Sequence, residues 1–329
     1  MMQRRHLLAV GAGAAASLAA PAIRAQGTAG WPSGPVRLVV PFAAGGPTDI
    51  PARLIAEEMS KLLPQRVVVE NRTGSGVVVG TDLVAKAPKD GLTLLYSTIA
   101  HAVLRVLFTR LPFDPVGDFS PIALAGQVPM ILMVNKELPV NSLADLVRLL
   151  RENPGRYSYA SSGAGGAVHL ATELFLNRAG GLRVEHVPYR GSAAAMPDVL
   201  SGRVPIILDV AAGAVPYMQR GELKALGIST RQRSSIAPDL PTFIEGGVPD
   251  YEAYTWHMFF APSGTPAPVI QQVNAVVNQV MAMDAVKRRL SDLTMDTRSD
   301  TTPDTAKAFL DAEIAKWEPL VRAAGIRPE

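Results

Sequence analysis

One apolar stretch near the middle of the chain is too long to be an ordinary strand. Residues 121–135 read PIALAGQVPMILMVN, which is about twice the usual strand length of roughly 5–6 residues. Gly126 and Pro129 within it suit a strand that bends, or that crosses from one domain to another. The stretch LKALGIST at residues 223–230 is a candidate for the return crossing. Two crossings form a hinge, and a hinge implies a cleft.

Strand-like and helix-like stretches alternate along the chain from residue 36 onward. VRLVV at 36–40 and RVVVEN at 66–71 have the composition of strands, and the residues between them carry apolar side chains at helical spacing. Such alternation favours parallel sheets covered by helices. The chain has 329 residues, 48% of them hydrophobic, which is enough for two domains with separate cores.

We therefore predict an α/β protein of two domains. The first comprises residues 26–125 together with 230–329, and residues 126–229 form the second as an insertion. Two amphipathic stretches, 265–290 and 303–325, predict helices that close the first domain.

The first 25 residues have the order of a secretory signal: a positive start, an apolar middle and small residues before a cut after Ala25. The Arg4-Arg5 pair resembles a twin-arginine export signal, with the general secretory route as the alternative. Export predicts a periplasmic protein. Without the three arginines of this segment the 32 basic residues fall to 29, equal to the 29 acidic residues. The basic pI therefore gives no argument for nucleic acid or membrane surfaces.

Most signatures of catalysis and of cofactor binding are absent. The chain has no cysteine, which excludes disulfides, thiolate metal sites and cysteine nucleophiles. GAGAAA at 11–16 lies in the export signal, and in GSGVVVG at 74–80 Val79 stands where a dinucleotide fingerprint needs glycine. His169 and Glu173 are four residues apart, but no third metal ligand is identifiable. We predict no cofactor, no metal and no nucleic-acid partner.

Two loops remain, and they share a design. PFAAGGPTDI at residues 41–50 follows a strand and opens a helix, and so does SSGAGGAVHL at 161–170. Glycine leaves backbone N–H groups uncovered, and the following helix presents further unpaired N–H groups with partial positive charge. Each loop is therefore a candidate anion site. The alternative is a tight turn with an ordinary cap from Thr48 or Asp49. Asp49 would either cap N–H groups or meet a cationic part of the ligand.

Around these loops the chain resembles the Bug-type receptors of tripartite tricarboxylate transporters. The resemblance covers residues 31–325 and includes PVRLVVPFAAGGPTDI, VVVENRTGSG, GTDLVAKAPKDGLTLL, HVPYRG and DLPTFIEGGVPDYEAYTWHMFFAPSGTP. It implies a type II periplasmic-binding-protein fold, with two α/β domains joined by a two-strand hinge. It also implies a monomeric, non-enzymatic receptor that closes over a small organic acid and delivers it to membrane permease subunits.

The resemblance also implies which residues bind the ligand. In the first domain they are Phe42, Ala43, Gly45, Gly46, Thr48, Asp49, Ser97 and Thr98. In the second they are Ser161, Ser162, Gly163, Gly165, Gly166, Ala167, His169 and Asp209. The chain has Gly166 and Ala167 where relatives often carry a hydroxyl residue, and Val78 where they often have asparagine. These departures favour a less hydrogen-bonding cleft and a more apolar acid.

Two other functions are compatible with the same cleft. A sensor would present the closed form to a membrane signalling protein, and the sequence does not distinguish it from a transport receptor. An exported hydrolase or lyase would need Asp49, His101 or His169 as its acid or base. The absent nucleophile and metal constellations argue against the enzyme, and turnover of a bound acid would reveal it.

Overall fold

The computed structural model describes residues 30–327, so the predicted export signal lies outside the described residues. Strands and helices alternate as predicted. The strands are β1 (Val36–Val40), β2 (Val67–Asn71), β3 (Thr93–Ser97), β4 (Phe119–Asn135), β5 (Ser158–Ser161), β6 (Glu185–Pro188), β7 (Ile206–Val210), β8 (Leu223–Ile228), β9 (Tyr254–Pro262) and β10 (Asp296–Thr297). The helices are α1 (Asp49–Leu62), α2 (Val78–Ala85), α3 (Ile99–Leu107), α4 (Leu143–Glu152), α5 (Ala167–Arg178), α6 (Ser192–Leu200), α7 (Ala211–Gln219), α8 (Ala267–Ala282), α9 (Asp284–Asp292) and α10 (Pro303–Ala323).

The long apolar stretch is a single strand of 17 residues, β4. Its first part pairs with β9, and its last part pairs with β7 and β8. The bonded strands follow the order β2-β1-β3-β9-β4-β7-β5-β6, with β8 and β10 added alongside β4. β4 therefore belongs to both halves of the sheet.

The predicted return crossing is only partly right. β8 pairs with residues 131–135 of β4 and ends there. The Ser229 N–H donates to Met130 O, and β9 then starts with Tyr254 opposite Pro129. Residues 230–252 connect the two strands without pairing with β4. The strand that pairs with the first half of β4 is therefore β9 and not β8.

The strand directions place two sets of carboxyl ends face to face. β1, β2 and β3 are parallel, and β9 is antiparallel to both β3 and β4, so β3 and β4 run the same way. β7 is antiparallel to β4 and parallel to β5, which is parallel to β6. Hence β1–β3 point toward the second half, and β5–β7 point back toward the first.

The space between these opposed strand ends is called the central gap here. Ser97 at the end of β3 is level with Leu124 of β4, through Met258, and Val210 at the end of β7 is level with Met130. At about 3.3 Å per residue, the opposed ends stand roughly 20 Å apart along β4. Loops that follow β1, β3, β5 and β7 emerge at this gap.

The largest apolar core extends through both halves. It contains Val39 and Leu95 from the first half, Leu132 and Leu208 from the second, and Trp317 of α10. A second core lies under α1, α8 and α9, and a third lies under α6 and α7. Residues 31–327 lie in one compact unit, and the domain boundaries given above remain a prediction.

One of the predicted amphipathic helices is broken. The stretch 265–290 forms α8 and α9, with Met283 in an extended conformation between them. Asp284 then opens α9, where an acidic side chain is favourable beside the helix N-terminus. None of the helices described between residues 30 and 327 has the length and apolar character needed to span a membrane.

The buried carboxylate of Glu313 in α10 is hydrogen-bonded to a side chain of β9. Oε2 of Glu313 accepts the indole N–H of Trp256 at 2.9 Å and that of Trp317 at 2.8 Å. Its Oε1 lies 2.5 Å from Nζ of Lys316. Both tryptophans are fully buried, so this carboxylate is the acceptor that their N–H groups need.

We expect Glu313→Ala to lower the free energy of unfolding by about 3 kcal/mol, because two buried indole N–H groups lose their acceptor at roughly 1–3 kcal/mol each. Asp311→Ala is the matched control, since its ion pair with Lys307 on the same helix is exposed and contributes less than about 1 kcal/mol. Urea denaturation measures both, and equal losses in the two variants would contradict the role of Glu313.

Candidate functional site

Loop 1, residues 41–48, joins β1 to α1 at the central gap. Gly45 has φ of +75°, which side chains other than glycine rarely adopt. Its N–H donates to Oδ2 of Asp49 at 2.8 Å. The Gly46 N–H donates to Ala43 O at 3.3 Å, and the Ile50 N–H donates to Gly46 O at 3.1 Å. The loop is thus closed by its own bonds before α1 begins.

Asp49 is buried and holds loop 1 together. Besides the Gly45 N–H, its Oδ2 accepts Nε of Arg53 at 2.8 Å, and its Oδ1 accepts Nδ2 of Asn71 at 2.8 Å. Nδ2 of Asn71 also donates to Phe42 O at 3.0 Å. Burial raises the pKa of Asp49, but the bonds from Arg53, Gly45 and Asn71 together hold this pKa below its usual value. Asp49 therefore caps a backbone N–H group, the first of the two alternatives above.

Loop 2, residues 162–166, repeats these bonds 120 residues further along. Gly165 has φ of +73°, and its N–H donates to Nδ1 of His169 at 3.0 Å. The Gly166 N–H donates to Gly163 O at 3.3 Å, and the Leu170 N–H donates to Gly166 O at 3.0 Å. The shared design that the sequence predicts is therefore present in the backbone of both loops.

The expected role of the glycines needs a correction. All five donate their N–H groups within the loops, since the Gly163 N–H also binds Oγ of Ser161, at 3.2 Å. The expectation that glycine N–H groups stay uncovered is wrong, because the tight turns bring internal acceptors to them. Some N–H groups close to the glycines have no acceptor within the described residues, among them those of Ala44, Thr48, Ala164 and Ala167.

His169 lies beneath loop 2 in a cluster of aromatic rings. Its ring stacks on that of His186 with centroids 3.8 Å apart, and Oγ of Ser161 lies 2.6 Å from Nε2 of His186. Burial, with His186 beside it, lowers the pKa of His169 to about 3. The imidazole is therefore neutral at neutral pH. A neutral ring can accept the Gly165 N–H at Nδ1.

Glu173 lies one helical turn beyond His169. It accepts the Tyr159 hydroxyl at 2.5 Å, and its Oε1 lies 4.0 Å from Nε2 of His169. A carboxylate on this side favours the tautomer that carries its hydrogen on Nε2, which leaves Nδ1 as the acceptor. Within the described part of the chain, no group of three histidine, aspartate or glutamate side chains is placed to hold a metal ion.

The remaining predicted site residues lie at the carboxyl ends of β3 and β7. Oγ1 of Thr98 accepts the Ala100 N–H at 3.4 Å and caps α3. Ser97 is fully buried, and within residues 30–327 its hydroxyl has no hydrogen-bond partner. Oδ1 of Asp209 accepts the Ser192 hydroxyl at 2.6 Å and the Val210 N–H at 2.9 Å. Burial raises the pKa of Asp209 to about 6.

The two halves touch where loop 2 meets the end of α3. A Cβ atom on Gly165 would lie 3.0 Å from Cδ1 of Leu107, so this glycine permits a close approach. Phe108 similarly lies against Gly76 in the turn before α2, where a Cβ atom would be 3.1 Å from its Cζ. Leu107 and Phe108 were not among the predicted site residues.

Sequence reasoning also missed the polar partners of the loops, Asn71 and His186. Asn71 ends the strand beside β1, and polar side chains at the carboxyl ends of neighbouring parallel strands are a usable signal. His186 stands in β6, and no spacing rule connects it with His169 or Ser161. Its place could be found only from the pairing of β5 with β6.

The raised pKa of Asp209 predicts a pH effect on stability. Between about pH 4 and pH 6 the folded chain binds a proton at Asp209 that the unfolded chain does not. This contribution to the free energy of unfolding is present at low pH and falls as pH rises through 6. We expect Asp209→Asn, whose amide oxygen still accepts from Ser192 and Val210, to remove a difference of about 2 kcal/mol between pH 4.5 and pH 7.5. Denaturation of both proteins at pH 4.5 and pH 7.5 measures it, and parallel pH profiles would contradict it.

Comparison with known proteins places this geometry in a family. A family model described as "Tripartite tricarboxylate transporter family receptor" matches residues 51–326. Rpa4515 of R. palustris, solved with adipate, is 36% identical with a TM-score of 0.78, over 91% of this chain and 100% of that one. The periplasmic binding protein BugD is 32% identical with a TM-score of 0.76, over 90% of this chain and 100% of that one.

A third solved structure, MatC of Rhodopseudomonas palustris with bound malate, is 32% identical with a TM-score of 0.75, over 88% of this chain and 100% of that one. These matches confirm the predicted resemblance and the predicted fold, a mixed α/β fold shared with two-domain periplasmic binding proteins. They also confirm that the protein is a receptor and not an enzyme. The chain belongs to the tripartite tricarboxylate transporter receptor family.

Proposed function

We propose that the protein binds a small organic carboxylate at the central gap, in the periplasm, and delivers it to the permease subunits of a tripartite transporter. The observation that carries this proposal is the repetition of one hydrogen-bonded loop at opposed strand ends. Two similar receptors were solved with small dicarboxylates, adipate in Rpa4515 and malate in MatC.

Backbone N–H groups beside the glycines are the proposed anion donors. Those of Ala44 and Thr48 serve loop 1, and those of Ala164 and Ala167 serve loop 2, each next to a helix N-terminus with partial positive charge. A micromolar complex needs about 8 kcal/mol. Hydrogen bonds to a charged group contribute roughly 1.5–3 kcal/mol each, so four donors supply a sufficient gross energy before association entropy is subtracted.

No free cation is required in this scheme. Arg53 lies beside loop 1, but its Nε is bonded to Asp49 and its Nη2 to Asn71. Asp49 in turn is neutralised by Arg53, which lessens its repulsion of a bound anion. Loop 1 therefore presents N–H dipoles rather than a net charge.

Apolar side chains lie partly buried around the same loops and favour an acid with a hydrocarbon body. They are Phe42, Val78, Leu107, Phe108 and Val210. Such side chains gain from covering methylene or aromatic groups. We therefore propose that the ligand combines a carboxylate with an apolar chain or ring, and that its binding stabilises closure of the two halves.

Calorimetric titration of the purified chain tests the ligand class. We expect adipate and benzoate to bind at least about tenfold more tightly than citrate, because their apolar groups cover the apolar side chains. The opposite order, with citrate or malate bound and the apolar acids not bound at all, would rule out the proposed ligand class.

Gly45→Val tests loop 1 as part of the binding site. The left-handed backbone at Gly45 is strained for a β-branched residue, so we expect the loop to move and adipate affinity to fall at least about tenfold. Gly155→Val is the matched control: its φ is +74°, and as at Gly45 no atom lies within 4 Å of an added Cβ, but it precedes β5 at the strand's other end. Equal affinities in the two variants would count against loop 1.

A further inference from the structure

Asp49 and His169 occupy the same place in their loops. Each stands four residues after a glycine with positive φ and accepts that glycine's N–H, at 2.8 Å and 3.0 Å respectively. Each also has a charged residue one helical turn further on, Arg53 after Asp49 and Glu173 after His169. The two loops therefore repeat a chain of three groups: glycine N–H, acceptor and charged neighbour.

Neither acceptor is free to contact a ligand. Asp49 is 1% exposed, and its two oxygens are occupied by Gly45, Arg53 and Asn71. His169 is 5% exposed, with Nδ1 occupied by the Gly165 N–H and one ring face covered by His186. Both side chains are buried and bonded to their loops, so we expect them to act on a ligand through the backbone.

The charged neighbours fix which atom accepts in each loop. Arg53 keeps the Asp49 carboxylate ionised and directed at the loop. Glu173 lies on the Nε2 side of His169, which keeps the lone pair on Nδ1 directed at Gly165. The anionic acceptor is thus bonded to a cation, whereas the neutral acceptor has a carboxylate oxygen 4.0 Å from its other ring nitrogen.

We propose that Asp49 and His169 are matched positioning residues, each holding one loop so that the neighbouring N–H groups face the ligand. The identity of the ligand in this inference rests on the proposed function. The positioning of the two loops by Asp49 and His169 does not depend on it. Asp49 and His169, both expected from the resemblance to be ligand contacts, are thereby assigned to the support of the loops.

Two variants of His169 separate its acceptor atom from its packing. His169→Phe keeps a ring that can stack on His186 but has no acceptor. His169→Asn places an amide oxygen near the position of Nδ1. We measure the exchange rate of the Gly165 amide hydrogen by NMR, the melting temperature, and adipate affinity by calorimetry.

We expect His169→Phe to speed Gly165 exchange and to weaken adipate binding, each by about fivefold, the equivalent of one neutral hydrogen bond. His169→Asn should restore both to within about twofold of the parent, because it supplies an acceptor again. If both variants lower the melting temperature equally, a general loss of stability does not explain why they differ in Gly165 exchange and in adipate affinity. The difference is then due to the acceptor atom at residue 169.

The outcomes separate this inference from the proposed function. Unchanged Gly165 exchange in His169→Phe overturns the positioning role, whatever the affinity. Faster exchange in His169→Phe that His169→Asn reverses supports it, even if the parent binds no adipate. Faster exchange with unchanged adipate affinity also supports positioning, and argues instead against loop 2 as the carboxylate site.

Discussion

The geometry of the site depends on one strand that both halves of the sheet share. Through the antiparallel strand β9, β3 and β1 run in the same direction as β4, whereas β7 and β5 run in the opposite direction on the other side of the gap, so the two sets of strands point at each other. Loops placed at the carboxyl ends of β1 and β5 then both emerge at the central gap, although they are 120 residues apart. The core common to both halves and the carboxylate of Glu313 hold this arrangement in place.

The glycines of the two loops contribute shape more than hydrogen bonds. Gly45 and Gly165 supply backbone conformations that other residues resist, and their own N–H groups are bound within the loops. Nearby amides, those of Ala44, Thr48, Ala164 and Ala167, have no acceptor within the described residues. A glycine-rich loop can therefore form an anion site without the glycines acting as donors, which a count of glycines in the sequence does not reveal.

Much of the fold could be predicted because it is encoded in local patterns. Strand β4 is visible in the sequence as an apolar stretch about twice as long as an ordinary strand. The order of strand, loop and helix around both loops follows from composition. The break at Met283 escaped prediction because apolar spacing continues through Val286 and Leu290, which remain buried in α9. The roles of Asn71 and His186 depend on strand pairing, a long-range property that residue spacing does not carry.

The contact between Gly165 and Leu107 has a mechanical consequence. At this point the backbone of one half rests on a leucine of the other, with no room for a Cβ atom at its ordinary distance. A larger residue at 165 would press against the Leu107 side chain, which belongs to the other half. The missing methyl group at Gly165 thus determines how closely loop 2 approaches the end of α3 in this structure.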